Sequence, residues 1–123
     1  MTFSELELSP EILRSIDELG FVEPTPIQQE AIPQLLTSNR DLVGLAQTGT
    51  GKTAAFGLPM LNNIDFSQRK VQGLVVAPTR ELCVQISNDF KLFSKHSKDA
   101  QIATIYGGAS IDKQAKEIRN GAQ

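Results

Sequence analysis

Apolar positions along the chain recur in two periods, and the alternation between them predicts the architecture. The first stretch at helical spacing carries Ile12, Ile16 and Leu19. Ser9 stands where a cap belongs, Pro10 suits the first helical position, Leu8 can staple onto Leu13, and Gly20 ends the pattern. A second helix starts with Thr25 before Pro26 and runs toward Leu36, where Pro33 predicts a kink or a split near Ile32. A third opens at Ala54-Ala55-Phe56 and carries Leu58, Leu61 and Ile64 around an internal Pro59. Thr79 can cap a fourth, on which Cys83, Ile86, Phe90 and Phe93 share a face, and Lys91, Lys95 and Lys98 sit near its end, where cations suit the helix dipole. Ser110 can cap a fifth, with Ile111, Ala115 and Ile118 as its apolar positions and Gly121 closing it. Between these helices, residues 42–46, 73–77 and 102–106 are short apolar runs that read as buried strands. Strands alternating with helices predict an α/β fold, a parallel sheet with helices on both faces. No internal repeat or low-complexity tract interrupts the pattern.

The composition bounds what such a domain can do. At 123 residues the chain is one domain at most, short for a doubly wound sheet. Its formal charge of −2 and pI near 5.3 argue against holding nucleic acid by bulk charge, so a polyanion would be bound locally. The single cysteine, Cys83, excludes an internal disulfide and a clustered metal site, and suits a reducing compartment. No apolar run reaches membrane-spanning length, and the first residues lack the basic start and apolar centre of a secretion signal. Cytoplasm or nucleus is the expected location. His96, the only histidine, is expected at the solvated surface with no catalytic role.

One stretch carries chemistry: Ala46-Gln47-Thr48-Gly49-Thr50-Gly51-Lys52-Thr53, placed between a predicted strand and a predicted helix. Gly49 and Gly51 allow the backbone to curl with its N–H groups inward, and the helix aims its unpaired N-terminal donors at the same spot. A phosphate chain fits such a cradle. Lys52 would place an ammonium between the outer phosphates of a nucleoside triphosphate, and Thr53 would offer its hydroxyl to the bridging Mg²⁺. Ala46 stands where the strict pattern wants glycine.

In right-handed parallel units, ligands sit beyond the carboxyl ends of the strands. The three predicted strands lead into Gln47-Thr48-Gly49, Pro78-Thr79-Arg80-Glu81-Leu82 and Tyr106-Gly107-Gly108, which would share one rim. With Gly20-Phe21, Pro24-Thr25-Pro26-Ile27-Gln28, and Phe3 seventeen positions ahead of Gly20, these segments make the chain resemble the first RecA-like domain of the DEAD-box RNA helicases along its full length. The resemblance implies a P-loop (RecA-like) fold and a parent protein that is an ATP-dependent RNA helicase using ATP and Mg²⁺. It divides the chain into adenine-recognition helices (1–38) and P-loop units (39–123).

The same resemblance assigns Phe21, Thr25 and Gln28 to the adenine. Gln28 offers a carboxamide acceptor and donor side by side, matching adenine N6–H and N7 and mismatching guanine O6. The local pattern alone also fits a capping box, with Gln28 folded back on the N–H of Thr25. Phe21 would lie on the adenine face with Phe3 nearby; alternatively both rings fill a seam in the core, and that fits Phe3 better. Pro78, Thr79, Arg80, Gly107 and Gly108 are the implied contacts to an RNA sugar-phosphate backbone, independent of sequence. Arg80 at a helix start needs a partner, either phosphate or a carboxylate such as Glu81, and Gly107-Gly108 is otherwise a plain turn.

Parts of the family's machinery have no counterpart here: the Asp-Glu-Ala-Asp and Ser-Ala-Thr segments, and a second RecA-like domain that completes the site with arginines. Neither Asp41 nor Asp65 is placed to substitute for the metal-holding aspartate. The chain is therefore expected to be a fragment that binds nucleotide at most and does not hydrolyse it, with a gap inside its own sheet and unpaired edges. The rival expectations are a nucleotide-binding module without catalysis and a P-loop kinase of small substrates.

Overall fold

Local signals place the helix ends where the sequence puts them. The structure, a computed structural model describing all 123 residues, contains α1 (Pro10–Glu18), α2 (Pro26–Thr37), α3 (Lys52–Asn62), α4 (Arg80–Phe93) and α5 (Ile111–Arg119). Side-chain oxygens of Ser9, Thr79 and Ser110 accept the amides of Ile12, Leu82 and Lys113, capping α1, α4 and α5. A 3₁₀ turn at Phe3–Leu6, not anticipated, buries Phe3 and Leu6 beneath the helices. No helix is long and apolar enough to cross a membrane.

The second helix corrects one expectation. Pro33 neither splits nor ends α2, which continues to Thr37. Proline removes one N–H from the ladder. Burial of Ile32, which is 0% exposed, and packing of Leu36 against the core hold the helix across that gap.

A single apolar cluster joins the 3₁₀ turn, α1, α2, α3 and α4 through Phe3, Leu6, Ile12, Ile16, Ile32, Leu58 and Phe90. An aromatic chain runs through it, Phe3–Phe21–Phe93–Phe90–Phe56, with neighbouring ring centroids 5.8 to 6.5 Å apart. Gly57 of α3 lies against the Phe90 ring, where a Cβ would come within 2.6 Å of it, so α3 and α4 meet at a glycine.

The expected parallel sheet is not formed. The three apolar runs form no strand, and no backbone hydrogen bond joins any of them to another. Their two-residue alternation survives: Val75 and Ala77 pack on the cluster, whereas Val43, Leu45, Leu74 and Val76 are 77–92% exposed. A ladder needs neighbours about 4.8 Å apart. The fifth helix is a related correction, because Ile111 is 81% and Ile118 43% exposed and no residue of α5 is buried.

His96 also departs from expectation. Its side chain is only 19% exposed, and its Nε2 lies 2.8 Å from Glu18 Oε1 at the end of α1. Lys95 Nζ donates to the other carboxylate oxygen at 2.7 Å, and Arg14 Nε stands 3.6 Å away. The Lys95 hydrogen bond, then the His96 one, hold the Glu18 carboxyl well below its ordinary value of 4.5, at about 2. A carboxylate with a depressed folded pKa stabilises above its unfolded value and loses that contribution as the pH falls. Thermal melts between pH 5 and pH 2 should therefore show a steeper loss of stability for the native protein than for Glu18→Gln. Parallel curves would contradict it.

Candidate functional site

The chain turns from the apolar run at 42–46 into α3 through two left-handed glycines, Gly49 at φ 78° and Gly51 at φ 83°. Gly51 is the N-cap of α3 and brings no side chain to cap it. No backbone amide from Thr48 to Ala54 donates a hydrogen bond within the protein. A nest of free donors at the positive end of a helix is a site built for an anion. Lys52 begins the helix and folds its ammonium back onto the Ala46 carbonyl, Nζ to O 2.7 Å. Thr50 Oγ1 donates to the Gln47 carbonyl at 2.6 Å, bracing the loop from the other side. Thr53, half-buried, stands in the first turn of α3.

Gln28 is placed against this cradle from α2. It is 3% exposed; its Oε1 accepts from the Thr25 amide at 3.0 Å, and its Nε2 donates to the Gly51 carbonyl at 3.1 Å. The box-forming half of the motif is thus present. The reciprocal contact, of the Gln28 backbone N–H with Thr25 Oγ1, is present but makes no hydrogen bond, and that buried oxygen has no partner. The side-chain amide keeps one N–H and one acceptor lone pair unused. Phe21 is half-buried, flanked by Phe3 at 5.8 Å and Phe93 at 6.1 Å, whereas Phe3 itself is 5% exposed and belongs to the core.

The remaining site residues form a second cluster. Thr79 caps α4, next to exposed Pro78, and Arg80 begins the helix. No carboxylate pairs with Arg80, Glu81 included. Its guanidinium lies instead over the Tyr106 ring, 4.6 Å from the centroid, and a Cβ at Gly108 would stand 3.5 Å from its Nη1. The Pro-Thr-Arg segment and the Gly107-Gly108 turn are therefore brought together, while no hydrogen bond or ion pair ties the cradle to them. Tyr106 was not singled out in the sequence, nor was Gln114, whose side chain bonds both backbone groups of Tyr106. The one signal was a polar residue within the apolar stripe 111, 115 and 118 of the last helix.

An apolar cavity of about 220 Å³ lies elsewhere, lined by Met60, Phe66, Val75, Ile86, Phe90 and Ile102 among others, and no cradle residue reaches it. No group of histidine, cysteine and carboxylate side chains could hold a metal by itself.

A glycine-built anion cradle between an apolar run and a helix N-terminus defines a P-loop protein. A sequence profile of the DEAD/DEAH box helicases matches residues 25–123, and the chain belongs to that family. It is 49% identical over 123 residues to the "ATP-dependent RNA helicase DeaD" of Haemophilus influenzae, covering all of this chain and 20% of that protein. Its fold matches a crystal structure of a DEAD box protein from the hyperthermophile Methanococcus jannaschii, with a TM-score of 0.93 and 38% identity over 99% of this chain and 33% of the other. It also matches Saccharomyces cerevisiae Dbp5 bound to RNA and ADP BeF3, with a TM-score of 0.80 and 32% identity over 98% of this chain and 30% of that one. The chain thus spans about a fifth of the length of the curated relative and about a third of the solved chains.

Proposed function

We propose that these residues form the ATP-binding portion, and part of the RNA-binding rim, of an ATP-dependent RNA helicase. The observation that carries this reading is the bond from Gln28 Nε2 to the Gly51 carbonyl, which fastens a purine-reading carboxamide to a phosphate cradle. Residues 1–38 supply the adenine side through Phe21, Thr25 and Gln28, and residues 39–123 the P-loop and rim. The amides from Gln47 to Thr53 and the Lys52 ammonium hold the triphosphate, and Thr53 offers its hydroxyl to the magnesium ion. That ion, when bound, neutralises charge between the outer phosphates. Arg80, Pro78, Thr79 and the Gly107-Gly108 turn hold an RNA backbone. The bare faces of the apolar runs belong to the sheet of a whole RecA-like domain, which a second such domain closes over ATP and RNA. By itself this stretch binds nucleotide without hydrolysing it, because nothing in it supplies a metal-holding aspartate beside the cradle.

The test is nucleotide choice and RNA dependence in the whole protein that carries these residues. Turnover should rise with single-stranded RNA, and ATP should be preferred to GTP by roughly 5- to 150-fold, the range expected of one bidentate base contact. Gln28→Ala should bring that ratio close to one. A ratio left unchanged would remove Gln28 from the adenine site, and turnover indifferent to RNA would remove the helicase reading.

A further inference from the structure

The guanidinium of Arg80 is exposed at the start of α4, where the helix dipole repels it, and it has no carboxylate to hold it. A long cation in that position would ordinarily sample many rotamers. Here it is held over the Tyr106 ring, Cζ 4.6 Å from the centroid. A ring takes up none of the guanidinium's N–H donors as an acceptor would, and Arg80 has no carboxylate partner, so those donors are free for phosphate oxygens. Tyr106 is in turn fixed from α5. The Gln114 side chain accepts from the Tyr106 amide at 3.1 Å and donates to the Tyr106 carbonyl at 3.0 Å, filling both backbone valences as a neighbouring strand would. The next residues in the chain are Gly107 and Gly108, whose turn follows directly from the residue so clamped.

We propose that Tyr106 and Gln114 are positioning residues for the RNA rim: the ring holds the Arg80 guanidinium in place, and the Gln114 amide fixes the Tyr106 backbone and with it the Gly107-Gly108 turn that follows. This rests on the assignment of Arg80 to an RNA backbone. Neither residue touches RNA in this arrangement; each acts through Arg80 or the turn. The hydroxyl of Tyr106 makes no hydrogen bond that the Arg80 contact requires, so phenylalanine serves equally well at that position.

Fluorescence anisotropy of a labelled single-stranded oligouridine on the whole protein, with a non-hydrolysable ATP analogue at fixed salt, tests this. Arg80→Ala should weaken RNA binding about tenfold or more. Tyr106→Leu and Gln114→Leu should each weaken it about three- to tenfold, and Tyr106→Phe should match the native protein. In the double variant Arg80→Ala/Tyr106→Leu the second change should add nothing, because a ring with no guanidinium above it has nothing to position. RNA binding unmoved by Arg80→Ala would sink the RNA assignment itself. Loss in Arg80→Ala with none in Tyr106→Leu, or losses that add in the double variant, would overturn the positioning role and leave that assignment standing. Should Tyr106→Leu lose nucleotide affinity too, as a misfolded protein would, Gln114→Leu alone and combined with Arg80→Ala reads the same coupling from the exposed helix.

Discussion

Lys52→Ala should reduce ATP hydrolysis by the whole protein at least about 10²- to 10³-fold, the loss typical of removing one preorganised charge from a developing anionic centre. The geometry explains why a single side chain carries so much. Lys52 is the only side-chain cation held against the loop, and its Nζ rests on the Ala46 carbonyl at 2.7 Å, at the mouth of a ring of unused amides. On the proposed reading, a triphosphate entering that loop would offer charged oxygens in exchange for one neutral carbonyl, and the ammonium would move to the phosphate, where its bonds are roughly twice as strong. Alanine leaves the amides but removes the mobile charge. The fold should survive: one hydrogen bond to a carbonyl is worth about 0.5–1.5 kcal/mol, and alanine is a better helix former at that position. Coupled measurement of phosphate release and melting temperature separates the two effects. Turnover within a few fold of native would show that the cradle grips something other than the reacting phosphates.

How much of this was legible in the sequence follows from how local each feature is. Caps at Ser9, Thr79 and Ser110 and the glycines of the cradle act within three or four residues, and the structure bears these out. In the second apolar run alternate residues pack, Val75 and Ala77 against the core with Leu74 and Val76 exposed, but a ladder between the runs is non-local and does not form. At Pro33 the helix is not split, because a local defect is outweighed by tertiary burial of Ile32. Of the two partners the sequence left open for Arg80, phosphate or a carboxylate such as Glu81, the carboxylate is not found; its neighbour is Tyr106, 26 positions away, a distance over which no period links the two. His96 was placed at the surface for lack of a motif; its contact with Glu18 comes from the packing of α1 on α4. Gln28 illustrates a motif with two meanings. The Gln28 half of the box forms, and the same side chain reaches the cradle, because Oε1 and Nε2 bond to different elements.

That double engagement makes Gly51→Ala the most damaging single-methyl change expected in the protein. Any side chain at φ 83° costs about 1–2 kcal/mol of backbone strain. Gly49→Ala at φ 78° would incur the same strain, and there a Cβ meets nothing within 4 Å. At Gly51 the added carbon would collide with the Gln28 carboxamide and stand 3.3 Å from Thr25 Oγ1. Gln28 is 3% exposed and tied at both ends, so it yields only by breaking its bond to Gly51 or to Thr25 and leaving buried polar atoms unpaired. Gly51→Ala should therefore lose about 1–3 kcal/mol more than Gly49→Ala in urea titrations, and should lower affinity for ATP as α2 and the cradle separate. Truncating the obstructing side chain provides the control. In Gly51→Ala/Gln28→Ala the losses should fall short of their sum, since the collision exists only while both groups are present. Equal destabilisation by the two glycine substitutions would mean that the seam between α2 and the phosphate loop is loose, and that Gln28 does not set the position of the cradle.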